Sequence, residues 1–144
     1  MKNIIIIFLL LILTSCSKNK DYKIINGFLE TNNIKLKNLS SEPYYLDNSL
    51  KHWKEKEFTD LHFNIKRNES YTLDTSLIRN KISDNSKFKT KISRPLISND
   101  TKKALIGIEE TWGLYEKVTI YLLKKSENGW TLETKINSTT TLSH

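Results

Sequence analysis

Few residues in this 144-residue chain carry side chains that can do chemistry, and their spacing decides what each can do. Asp60 and His62 stand two apart. On a strand that spacing puts both on one face, where the carboxylate can orient the imidazole as a base or the two can begin a metal site. A metal site takes three or four ligands, and His52 is the only other internal histidine, so a solvated polar strand face is the more economical reading. Glu109 and Glu110 come just before Trp112, a grouping that can bind a sugar or supply a general acid. Neighbouring strand residues point to opposite faces, so the two carboxylates need a partner from elsewhere to act. There is no Gly-x-Ser-x-Gly elbow, and the four glycines are isolated, which leaves no phosphate-cradling loop. Tyr44, Tyr45, Trp53 and Trp112 are candidates to line a ligand groove or partner surface; core packing is the competing role, strongest for Trp53 and Trp130. Trp112, Glu109, Glu110 and His62 are thus the site residues to locate, with no metal and no cofactor expected.

The elements that must position them follow from apolar spacing. Tyr22, Ile25, Phe28 and Leu29 recur at helical intervals, which predicts a helix over residues 21–32. Asp21 can cap its first turn, Gly27 weakens it and Asn32-Asn33 ends it. Ile34 and Leu36 alternate with Lys35 and Lys37 as in a half-buried strand, and Ser40 to Pro43 is a turn cluster. Residues 44–57 fit no single period. From Phe58 to Ile65, Leu61, Phe63 and Ile65 alternate with Asp60, His62 and Asn64, which predicts a strand. Phe88 to Ile97 reads as a strand that Pro95 confines to an edge or a bulge. Ala104, Ile106 and Ile108 share one face of the next strand, and Val118, Ile120 and Leu122 repeat the pattern. Asn128-Gly129 predicts a hairpin because both residues tolerate positive φ, with Trp130, Leu132 and Ile136 returning to face Val118, Ile120 and Leu122. The polar tail from Ser138 to His144 reads as frayed. The fold class is α+β, an N-terminal helix or helices packed on a C-terminal antiparallel β-meander.

Size and charge narrow the function classes. The chain suits one small domain, and one cysteine excludes a disulfide scaffold. No stretch reaches the roughly 20 apolar residues that span a bilayer. The net charge of +7 raises nucleic acid as a partner. The cations are interleaved with acids, as in Lys54-Glu55-Lys56-Glu57, or alternate along a strand, as in Lys87, Lys89 and Lys91. That is the pattern of a solvated sheet face, so no nucleic-acid partner is expected. An anionic membrane surface is the better match, with Lys18, Lys20 and Lys23 contributing most.

The N-terminus is the most specific part of the sequence. Lys2 supplies a positive region, and Ile4 to Leu13 is an unbroken apolar block of the length found in secretory signals. The run Leu13-Thr14-Ser15-Cys16 that follows resembles the lipobox of bacterial lipoproteins. The resemblance implies cleavage between Ser15 and Cys16, a diacylglycerol thioether on Cys16, and acylation of the new amine. Two or three chains give the anchoring that one cannot. The organisation implied is a signal peptide over 1–15, a lipidated flexible tether over 16–21 and one domain over 22–144. Ser17 after the cysteine resembles the class directed to the outer membrane. Downstream, Ile92 to Ile97, Lys103 to Ile106 and Tyr121 to Lys125 with Gly129-Trp130 look like the C-terminal meander of uncharacterised envelope lipoproteins. The connection Thr111-Trp112-Gly113-Leu114 lacks the cysteine many of those carry, so no chemistry transfers. The function expected is a lipid-anchored, monomeric, non-catalytic envelope protein. It would be held to the membrane by the acyl chains on Cys16 and bind another envelope protein or a ligand. The alternatives are a periplasmic enzyme acting on an envelope polymer through Glu109, Glu110 or His62, and an immunity or inhibitor lipoprotein.

Overall fold

A computed structural model describes residues 19–141 of the chain. Residues 1–18, on which the expected signal peptide, the Ser15–Cys16 junction, Ser17 and Lys18 fall, and residues 142–144 lie outside the described residues. Among the described residues no helix is long and apolar enough to cross a membrane.

The centre is one antiparallel sheet: β3 (Lys89–Ile92), β4 (Leu96–Ile97), β5 (Lys103–Trp112), β6 (Tyr115–Ser126) and β7 (Gly129–Thr141). Its order is β3-β5-β6-β7, with β4 pairing β5 beyond the break at Ser93-Arg94-Pro95. The expected interruption at Pro95 is therefore observed. A second, two-stranded parallel pair joins β1 (Leu36–Lys37) to β2 (Lys81–Ile82). The α+β class holds, with more sheet and less helix than the sequence implied.

Helix α1, residues 19–31, covers one face of the sheet. Ile25, Phe28 and Leu29 are fully buried against Ala104, Ile106, Ile108 and Leu123. The helix ends as its sequence dictates. Asn33 takes the left-handed conformation (φ 56°), the Ile34 amide donates to the Leu29 carbonyl and the Asn33 amide to that of Glu30. This is a Schellman motif, completed by Ile34 folding onto the core. Two expectations are corrected here. Asn19, Lys20 and Asp21 are already helical, so the flexible tether does not extend to 21. Asp21 is not a cap either; its carboxylate accepts from Arg94 Nε at 2.9 Å.

The opposite face is covered by a 3-10 turn (Leu46–Lys51), α2 (Glu55–Thr59) and the segment that follows. Here the predicted strand over 58–65 is overturned. Phe58, Phe63 and Ile65 do share one apolar cluster, but they reach it through a helical turn and a reversal. His62 sits at φ 65°, with its amide donating to the Thr59 carbonyl and that of Phe63 to the Phe58 carbonyl. That is a second Schellman closure, with histidine, a residue that tolerates this region, at the left-handed position.

Because both faces are covered, β5 buries Ala104, Leu105, Ile106 and Ile108 in succession. Gly107 is required among them. A Cβ there would stand 2.6 Å from Cδ1 and 2.7 Å from Cε1 of the buried Tyr44 ring.

The β6–β7 hairpin differs from its prediction in three ways. Ser126 pairs with Gly129 around Glu127-Asn128, and positive φ falls on Gly129 alone (131°), not on Asn128. A bulge lies between the Leu122–Thr134 and Leu123–Leu132 pairs, so Glu133 is extra on β7. The bulge changes the face of what precedes it: Ile136 does oppose Ile120, but Leu132 opposes Leu123 and Trp130 opposes Lys125. Finally, Ser138 to Thr141 are not frayed. They pair with Val118 to Tyr115, since β-branched threonine suits a ladder whatever its polarity.

Candidate functional site

The four residues singled out by sequence are not brought together. Glu109 opposes Val118 on the α2-side face, and Glu110 opposes Lys117 on the α1-side face. His62 accepts at its carbonyl from the Asn99 amide at 2.9 Å, which fixes it beside the turn that starts β5. Glu109 lies six residues along that strand, about 20 Å away at the usual rise. Asp60 caps the C-terminal end of α2 and does not share a strand face with His62. Among the described residues no group of three or more His, Cys, Asp or Glu side chains could hold a metal ion.

Of the two adjacent acids, Glu109 sits among other charges on the α2-side face. It is flanked by Lys91 at 3.8 Å, and Lys91 also pairs with Glu42 at 2.8 Å. Burial dominates over the lysine, so the Glu109 carboxyl lies above the ordinary range, with Glu116 and Glu42 adding to the rise. Partial burial works against the Lys91 charge, but the Glu42 hydrogen bond and Glu109 outweigh it and raise the amine. Tyr44 lies beside them, 1% exposed, and its hydroxyl has no protein partner. Burial, followed by the Glu109 and Glu116 charges, pushes that phenol up. Glu109, Lys91 and Glu42 form an ion-pair network, and Glu110, the second acid the sequence offered, is on the other face.

Trp112 has a similarly structural setting. Its indole stacks on Phe88 (5.7 Å between centroids, 9° between planes) and on Tyr115 (6.0 Å, 25°). Cross-strand register from β3 through β5 to β6 creates this ladder. Near-parallel rings at that separation are offset-stacked, so a sugar at Trp112 would compete with Phe88 and Tyr115 for the indole. Tyr115, 50% exposed, offers the open end.

What the fold does assemble lies along β7. Among the described residues no strand pairs with its outer side, so a 13-residue edge is open. Lys135, Glu133 and the bulge protect its first half, as edges usually are protected. From Ile136 to Thr141 there is no charge. Beside this run, on the α2 side, is a groove of about 300 Å³ lined by Trp53, Phe58, Leu61, Leu105, Thr134 and Ile136 among others. Ile136 is 41% exposed at its rim. Trp53 therefore lines a groove as one sequence reading allowed, while Tyr44 is core and Tyr45 packs edge-on against Tyr71 at 5.0 Å. Sequence reasoning missed Thr134 and the β7 edge. The available signal was a β-branched run uninterrupted by charge, which polarity disguised as a tail.

The fold and the groove together define a small α+β domain with an open sheet edge. No protein-family model, curated protein or solved structure matches this chain.

Proposed function

We propose that this chain is a lipid-anchored cell-envelope protein that binds and does not catalyse, and that it takes an extended polypeptide segment by strand addition at β7. The single observation that carries the binding reading is the open β7 edge with an apolar groove at Thr134 and Ile136, where the uncharged run begins. Strand addition draws affinity from main-chain hydrogen bonds and specificity from pockets for alternate side chains. An added strand would supply the missing ladder partner of β7, and every second residue would meet the groove beside Thr134 and Ile136. The partner is another envelope protein, and the binding unit is a monomer. Anchoring at the outer membrane rests on the Leu13-Thr14-Ser15-Cys16 run and on Ser17.

Two experiments test the two halves separately. Intact mass of the membrane fraction is expected to lack residues 1–15 and to carry an acyl adduct; a free Cys16 thiol would refute anchoring. Photo-crosslinking in intact envelopes from positions 136 and 140 is expected to give one discrete adduct that positions 35 and 54 do not give. Ile136→Lys, which puts a charge at the groove, should abolish it. Equal labelling from all four positions would refute the site.

A further inference from the structure

A second cleft, of about 510 Å³, opens between α1 and the β6–β7 hairpin. Its apolar part is Ile24, Gly27 and Phe28 of α1 with Trp130 of β7, and Lys20, Lys23 and Arg79 ring it. Gly27 gives it depth, since a Cβ there would meet nothing within 4 Å. Lys20 and Lys23 are exposed. Arg79, 67% exposed at its side chain, pairs with Glu30 at 2.9 Å and keeps most of its surface in solvent. Trp130 is half-buried, with its body packed on the α1-side core.

Position along the chain says what this cleft faces. Lys20 follows Cys16 by four residues, which span at most about 14 Å even when fully extended. An acylated Cys16 would thus hold the cleft mouth at the bilayer surface. Cations, a tryptophan and a short apolar floor, in that order from outside inward, match the phosphate, the glycerol region and the first methylenes of a lipid.

We propose that the α1–hairpin cleft binds the headgroup of an anionic phospholipid in the membrane to which the chain is anchored. Lys20 and Lys23 contact the phosphate, Trp130 sits at the glycerol level, and the α1 surface at Ile24 and Gly27 meets the first acyl methylenes. This rests on the lipid-anchor reading, and its consequence is orientation: α1 lies toward the bilayer and domain rotation about the tether is restricted.

The test uses unacylated chain 17–144, which keeps both apolar clusters, since among the described residues these lie between Tyr22 and Trp130. Partition onto phosphatidylglycerol vesicles is expected to exceed that onto phosphatidylcholine vesicles. Each cation is worth about fivefold, the equivalent of about 1 kcal/mol, so Lys20→Gln with Lys23→Gln should weaken binding by roughly 25-fold. Brominated acyl chains should quench tryptophan emission, and Trp130→Phe should remove the quenching. Equal partition onto both lipids, a double variant within twofold of the parent, or quenching that survives Trp130→Phe each overturns the site. Displacement by inorganic phosphate at matched ionic strength would also overturn it, by assigning the cleft to a free anion. A free Cys16 thiol in the membrane fraction would remove the anchor reading while leaving the vesicle result standing, so the two failures are distinguishable.

Discussion

Replacing Gly107 with alanine tests the packing that shapes the α2-side of the sheet. The new methyl would stand 2.6 Å and 2.7 Å from two Tyr44 ring carbons and 3.1 Å from Leu46 Cδ2. Carbon atoms rest at about 3.5 Å or more, so the overlap is close to 0.9 Å on the ring. Tyr44 cannot swing away, because it is 1% exposed. Its backbone is also pinned, the amide donating to the Ile92 carbonyl at 3.0 Å and the carbonyl accepting from the Tyr71 hydroxyl at 2.8 Å. Overpacking of this kind costs about 1–3 kcal/mol, and the entropic gain of leaving glycine returns at most about 1 kcal/mol. The net expectation is a loss of roughly 1–2 kcal/mol, seen in urea unfolding of chain 17–144 as a midpoint lowered by about 0.5–1 M with unchanged slope. Tyr44→Leu should also destabilise, but in that background Gly107→Ala should cost at least about 1 kcal/mol less, because the clashing ring is gone. An unchanged or raised midpoint for Gly107→Ala, or equal losses in both backgrounds, would refute the reasoning.

Three further outcomes follow from specific contacts. The Glu109 carboxyl is raised in the fold, chiefly by burial, so its stabilising protonated form is complete below the unfolded value of about 4.3 and is lost as pH climbs through the folded value. Glu109→Gln should therefore flatten the decline in stability from about pH 4.3 upward, which a pH series of melting curves checks; an unaltered slope would contradict the burial argument. Tyr71, whose phenol is pushed up to about 12 mainly by burial, donates to the Tyr44 carbonyl and accepts the Arg94 amide at 3.1 Å. Tyr71→Phe leaves both backbone groups without their partner and should cost about 1–3 kcal/mol in equilibrium unfolding. Gly27→Ala puts a methyl into open space in mid-helix and should raise stability by about 0.5–1 kcal/mol, a rise in melting temperature that calorimetry would resolve.

Legibility in the sequence tracked how local the deciding interaction is. The end of α1 at Asn32-Asn33 was readable because a left-handed cap lies within one turn of what it closes. The break at Pro95 was readable because proline withdraws its own donor. His62 was misread because Phe58, Phe63 and Ile65 fall at intervals that a strand and a helix-then-reversal both satisfy; only the Schellman closure separates them. Leu132 and Trp130 were assigned to the wrong face because one extra residue, Glu133, shifts the period-two count.

By itself the sequence determined the apolar block Ile4 to Leu13 ahead of the sole cysteine, the α+β class, the amphipathic first helix and the apolar strands of the meander, since each depends on residues near one another in the chain. Tertiary structure alone decided that Glu109 and Glu110 serve opposite faces of a sheet covered on both sides, and that Trp112 stacks, offset, on Phe88 and Tyr115. It also decided that β7 is left at the edge with a groove alongside. The physical reason is that strand order and the direction of a side chain within a layered core are set by pairings between distant residues, which spacing along one chain does not encode.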